Sequence, residues 1–158
     1  MGVNAGEPDG TGKPFLWVTN YEKESHALYA NESTRDRALF LFHTPYSGIG
    51  AIGQSWVGWG TGFLDVDRDG WEDLFIANGH AIRYPTATTR LQVPKLMRNL
   101  GAGKFKDISA RGGEYFRTQH LARGVAPGDL NNDGRVDVVV SHMNAPAAVL
   151  KNASGDAH

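Results

Sequence analysis

Apolar residues along this chain fall in short runs, each closed by glycine, asparagine or charge. Leu16-Trp17-Val18, Ala27-Leu28-Tyr29-Ala30, Leu74-Phe75-Ile76-Ala77 and Val138-Val139-Val140 are the clearest. Runs this short, rich in β-branched and aromatic residues and bounded by turn formers, predict strands. No stretch keeps the 3.6-residue rhythm of an amphipathic helix, so a helical repeat is not expected. Ala38-Leu39-Phe40-Leu41-Phe42-His43 and Lys104-Phe105-Lys106-Asp107-Ile108 add two further candidate strands. Gly101-Ala102-Gly103 is a tight-turn signal just before the second of these.

The pattern repeats. Asp65-Val66-Asp67-Arg68-Asp69-Gly70-Trp71-Glu72-Asp73 and Asp129-Leu130-Asn131-Asn132-Asp133-Gly134-Arg135-Val136-Asp137 share the frame D-x-[DN]-x-D-G-x-x-D. Each is followed by an apolar run, and Lys95–Asn99 then matches Ala148–Asn152. A worn third copy lies upstream at Glu7–Phe15, where Thr11 and Phe15 replace two aspartates. The unit reads as strand, acidic loop, strand, spacer, strand and fourth strand. Four short antiparallel strands per unit is what a propeller blade requires. The fold expected is all-β: a partial β-propeller of about two and a half four-stranded antiparallel blades with calcium-binding hairpin loops. The blades would span 1–55 (degenerate loop), 56–118 (complete) and 119–158 (incomplete). Long connections are expected at 21–26, 44–57, 80–94 and 110–121. A β-sandwich with two similar loops is the alternative.

Composition narrows the function. The net charge of −1 gives no pull toward nucleic acid or an anionic membrane surface. With no cysteine, disulfides and Cys-based zinc sites are excluded. Met1–Pro8 has neither a basic start nor an apolar run, so it is not read as a signal peptide. No run approaches the roughly 20 apolar residues of a membrane helix. The incomplete ring suggests either a segment of a longer product or several copies completing one ring, with self-association through open blade edges.

Four aspartates within nine residues repel one another unless a cation sits among them. Closely spaced Asp oxygens around a glycine bend suit a hard cation, and calcium accepts such irregular oxygen sets better than magnesium. The expected ligands are the side chains of Asp65, Asp67, Asp69 and Asp73 with the carbonyl of Trp71. In the later loop they are Asp129, Asn131, Asp133 and Asp137 with the carbonyl of Arg135. Two calcium ions are therefore expected, with the Glu7–Phe15 loop empty. An EF-hand is ruled out because its position 12 would be Ile76 or Val140 and the flanks are strand-like. A solvated, aspartate-rich turn is the bland alternative.

G-x-x-x-x-D-x-[DN]-x-D-G-x-x-D-[LV]-x-[VI] resembles the FG-GAP and VCBS repeats of β-propellers, such as those of integrin α-subunits. The wider context, Leu16–Tyr21, Ala27–Asn31, Gly58–Asp65 and Phe75–His80, is similar to the ASPIC/UnbV-associated, cartilage acidic protein-like group. The resemblance covers nearly the whole chain but lacks the ASPIC/UnbV module. It implies a calcium-stabilised, exported propeller, extracellular or periplasmic, that binds protein or carbohydrate or serves cell adhesion, with no catalytic mechanism.

No nucleophile elbow, phosphate loop or zinc spacing is present, and His26, His43, His80, His120, His142 and His158 are scattered. His80 and His142 are read as turn caps. Trp17, Trp56, Trp59 and Trp71 could line a ligand face, but packing between blades is the preferred reading. Asn31-Glu32-Ser33 and Asn152-Ala153-Ser154 are glycosylation sequons by pattern. The reading is a non-enzymatic calcium-binding segment whose metal is structural. The alternatives are a carbohydrate-active lyase or hydrolase domain, with His80, Arg83, Tyr84 and Arg90 as candidates, and a pure scaffold.

Overall fold

The computed structural model of the chain describes residues 1–50 and 52–155. Three antiparallel meanders follow one another along it. The first is β1 (Val3–Gly6), β2 (Phe15–Val18), β3 (Ala27–Asn31) and β4 (Phe40–Phe42). The second is β5 (Gly58–Leu64), β6 (Asp73–Asn78), β7 (Lys95–Asn99) and β8 (Phe105–Asp107). The third is β9 (Ala122–Gly128), β10 (Asp137–His142) and β11 (Ala148–Leu150). Each sheet keeps its strands in chain order. The sheets of four, four and three strands agree with the repeat and are consistent with propeller-like blades. There is no α-helix among the described residues. Both candidate fourth strands form, each trimmed to three residues.

The central sheet explains why β6 reads as a continuous apolar run. Every residue of Asp73–Asn78 is buried. Side chains alternate across a strand, so Leu74 and Ile76 join the core shared with the first sheet, beside Trp17, Leu28 and Phe105. Phe75 and Ala77 join the core shared with the third, beside Phe116, Val138 and Val140. A sheet buried on both faces has no polar side to show. Trp17 belongs to the first core, fully buried, with its indole N–H donated to Thr61 Oγ1 at 3.0 Å. Thr61 in turn donates to the Phe75 carbonyl.

The first strands of successive sheets, β1, β5 and β9, lie against one another. A side chain at Gly60 would have its Cβ 2.5 Å from the Arg123 carbonyl oxygen and from the Val125 nitrogen. The close backbone approach of β5 to β9 therefore requires glycine there.

Two of the four stretches read as long connections hold a built and repeated turn. In the first, Thr44–Tyr46 is a 3₁₀ turn whose Thr44 hydroxyl accepts the Leu28 N–H at 2.7 Å. In the second, Ser109–Arg111 is a 3₁₀ turn whose Ser109 hydroxyl accepts the Leu96 N–H at 3.0 Å. The backbone ladder matches too: His43 N–H bonds Leu28 O and Ile108 N–H bonds Leu96 O.

Candidate metal centre

Each acidic loop joins the first strand of its sheet to the second, so aspartates at both ends are fixed by strand pairing. Leu64 pairs with Asp73, and Gly128 with Asp137. The backbone then bends back through two left-handed positions, Arg68 (φ 58) and Gly70 (φ 87) in one loop, and Asn132 (φ 57) and Gly134 (φ 80) in the other. Gly10 (φ 66) and Gly12 (φ 76) repeat this bend in the worn copy. The loop conformation is therefore kept where two of its four aspartates are replaced by Thr11 and Phe15.

The hydrogen bonds repeat as well. Asp65 accepts the N–H groups of Asp69 and Gly70, at 3.1 and 2.9 Å. Asp129 accepts those of Asp133 and Gly134, at 3.2 and 2.8 Å. Asp69 accepts from Trp71 N–H, and Asp133 from Arg135 N–H. Asp73, fully buried, accepts from Val66 N–H and Asn99 N–H. Asp137 accepts from Leu130 N–H and Asn152 N–H. The aspartates organise their own loops before any cation is considered.

Asp65, Asp67 and Asp73 converge, with one carboxylate oxygen from each within 4.8 Å of the others. Burial, followed by the neighbouring charges of Asp67 and Asp69, outweighs the two N–H bonds and pushes Asp73 up to about 7. Asp67 is also raised, first by burial and then by Asp69. Its Oδ1 is buried without a hydrogen-bond partner. Arg98, from β7, meets Asp67 at 2.9 Å and Asp69 at 3.0 Å. The oxygens of Asp65, Asp67 and Asp73 lie close enough to share one ion, and an all-carboxylate donor set fits a hard cation.

In the later loop Asn131 stands where Asp67 does, so three carboxylates do not gather there. Asp133 is turned toward Asn131 Nδ2, Arg135 and Lys151. In the worn loop Asp9 accepts from the Thr11 hydroxyl and N–H. Phe15, where the other loops have Asp73 and Asp137, packs in the first core.

Of the other candidate residues, His120 and His142 are brought together, their rings stacked 5.2 Å apart beside Tyr115, and Arg90 lines the same pocket. His80 is buried; its Nε2 lies 3.2 Å from Glu22, and its Nδ1 accepts the Ile82 N–H. Nδ1 as acceptor assigns the proton to Nε2, and the residue caps a turn as expected. His142 is held by Tyr115 and Pro146. Tyr84 is exposed and lies under Arg83, and the His80 N–H is donated to the Arg90 carbonyl at 2.9 Å. His158 lies outside the described residues. Trp56 lines the first core, Trp59 stacks under Arg123, and Trp71 is partly exposed against Gly10 and Gly101. No helix among the described residues is long and apolar enough to cross a membrane.

Sequence reasoning missed Asn99 and Asn152. Each ends a third strand or follows it, and each reaches into the preceding loop. Asn99 Nδ2 donates to Pro8 O at 2.7 Å and Asn152 Nδ2 to Val66 O at 2.8 Å. Pro8 and Val66 are the second residues of their loops. The amide of the Asn152 sequon is thus engaged between sheets. The signal was present in the matching Arg98-Asn99 and Lys151-Asn152 pairs, but their partners are 91 and 86 residues away.

Residues 65–140 match the model of the FG-GAP-like repeat. Cartilage acidic protein 1 of Xenopus tropicalis is 27% identical over 143 residues, covering 87% of this chain and 20% of that protein. The mouse and human proteins of the same name are each 45% identical over 51 residues, covering 32% of this chain and 8% of theirs. The chain spans a fifth or less of the length of these relatives.

Proposed function

For a chain that carries an FG-GAP-like repeat and groups with cartilage acidic protein 1, we propose a non-enzymatic, calcium-stabilised propeller segment of an exported protein that presents its surface to protein or carbohydrate. The observation that carries this reading is the convergence of Asp65, Asp67 and Asp73, one carboxylate oxygen from each within 4.8 Å of the others. Calcium would take these three with Asp69 and the Trp71 carbonyl. The second ion would take Asp129, Asn131, Asp133, Asp137 and the Arg135 carbonyl. With three carboxylates and an amide in place of four carboxylates, the second site is the weaker.

The metal's role is structural. It replaces mutual repulsion with attraction and pins the loop between β5 and β6 to Asn99 of β7. The test is a thermal melt against calcium. A ligand at 100 times its Kd adds about 2.7 kcal/mol, so the melting temperature should rise clearly with calcium and fall back with chelator. Asp67→Asn with Asp69→Asn should remove most of the response, and Asn131→Asp should strengthen it. Indifference of the melt to calcium and chelator refutes the reading.

A further inference from the structure

The entries into the second and third sheets share a frame but differ in what lies over it. Gly79 N–H donates to Val57 O at the first, and Met143 N–H to Leu121 O at the second. Val57 and Leu121 therefore hold equivalent places, and both are buried. The Val57 N–H is taken by Gln92 Oε1 at 2.9 Å, an oxygen supplied by the long connection 79–94 between β6 and β7. The matching connection between β10 and β11, 143–147, is short and supplies no such oxygen. The Leu121 N–H has no acceptor among the described residues.

A cavity of about 330 Å³ lies there instead, between the second and third sheets. Arg90, His120 and His142 line it, and among the described residues no Asp or Glu does. Arg90 makes no ion pair among the described residues, and its Nε is buried without a partner. Burial, followed by repulsion from Arg90, lowers the pKa of the neighbouring Arg123, so the positive charge here lacks an anion. His142 is engaged on both nitrogens, by Pro146 O and the Tyr115 hydroxyl. His120 is engaged on one: Nε2 donates to Tyr115 O at 3.0 Å, which leaves Nδ1 as an acceptor. Burial, partly opposed by that bond and aided by His142, lowers the His120 pKa and keeps the ring neutral.

Two kinds of group thus face one cavity. Arg90 and the Leu121 N–H are donors without an acceptor, and His120 Nδ1 is an acceptor without a donor. A ligand that answers both carries a carboxylate and a hydroxyl; the planar guanidinium suits the first. Gln119 and Asn144, exposed at the rim, add amides that both donate and accept, as a polyol requires.

We propose that this cavity is a binding site for a sugar acid, whose carboxylate meets Arg90 and the Leu121 N–H and whose hydroxyl donates to His120 Nδ1. Such a site deepens the surface-binding reading above, on which it rests, and is independent of the acidic loops.

The probe is glucuronate, titrated into the isotope-labelled full chain at fixed calcium and followed by amide shifts. Saturable shifts are expected at His120, Leu121 and Asn144, with none at Leu41. Arg90→Gln should weaken binding at least tenfold and leave the calcium-dependent melt unchanged, so failure here is distinguishable from failure of the metal reading. Should Arg90→Gln not fold, glucose gives the comparison on the wild type: without the carboxylate it should bind at least tenfold more weakly. Methyl glucuronide separates a free acid from a residue of a glycan, and saturation by either supports the site. Absence of saturation at tens of millimolar overturns the proposal, as does equal binding of glucose or of phosphate. Saturable shifts confined to other residues would sink this cavity while leaving the surface-binding reading in place.

Discussion

At the scale of single residues, His26 carries the clearest pH signature outside the acidic loops. It is fully buried between Trp17 and Asn20, its Nδ1 accepting the Asn20 N–H at 2.9 Å. Its Nε2 has no partner. Burial lowers its pKa from 6.5 to about 4, so the folded protein holds it neutral where the unfolded chain would protonate it. The stability this contributes is complete above pH 6.5 and is lost progressively as pH falls from 6.5 toward 4. A shift of this size corresponds to about 3 kcal/mol. Urea unfolding of the calcium-free protein at pH 7.5 and 4.5, compared with His26→Asn, should show the wild type losing about that much more stability. Equal losses would mean that His26 is solvated in the fold.

At the scale of elements, the asparagine after each third strand does what no local pattern announces. Asn99 is buried and makes three side-chain hydrogen bonds, donating to Pro8 O and Glu72 O and accepting from Gly101 N–H. Asn99→Ala leaves buried carbonyls and an N–H unpaired, at about 1–3 kcal/mol for each unsatisfied group. A loss of about 3 kcal/mol is expected by urea denaturation, against about 1 for Asn152→Ala, which is less buried. The strands, their order and the acidic loops were legible because alternation, glycine and repeated aspartates are local signals. The staples were not, since an asparagine's partner lies in another sheet. The turn at Thr44 and Ser109 was also hidden: the two stretches share almost no residues, only a hydroxyl and a left-handed glycine at matching places. In the first acidic loop, the sequence shows four aspartates within nine residues, while the structure gathers three and sets the fourth, Asp69, against Arg98 and Trp71.

At the scale of the whole molecule, the central sheet is covered on both sides and its neighbours are each covered on one. In the first sheet, Phe15 and Trp17 face inward, so Leu16, paired with Ala5 and Tyr29, faces out; Tyr29 pairs onward with Phe42. Phe40, Leu41 and Phe42 are 39, 50 and 49% exposed, and the Tyr29 and Phe42 rings lie 5.8 Å apart. In the third sheet, Ala126, Val139 and Val149 form the corresponding outer row, with Val149 65% exposed. These rows stand where Leu74 and Phe75 stand in the covered sheet. Contiguous apolar surface of this kind promotes association. We expect the isolated chain to self-associate, its weight-average mass rising with concentration in sedimentation equilibrium. Tyr29→Lys with Phe42→Lys places two charges on the outer row without entering either core. The double variant should sediment as a monomer with its calcium response intact, because the acidic loops belong to the second and third sheets, joining β5 to β6 and β9 to β10, while Tyr29 and Phe42 lie in the first. A wild-type chain that stays monomeric at hundreds of micromolar would show that these rows are tolerated in water, and the open faces would then say nothing about assembly.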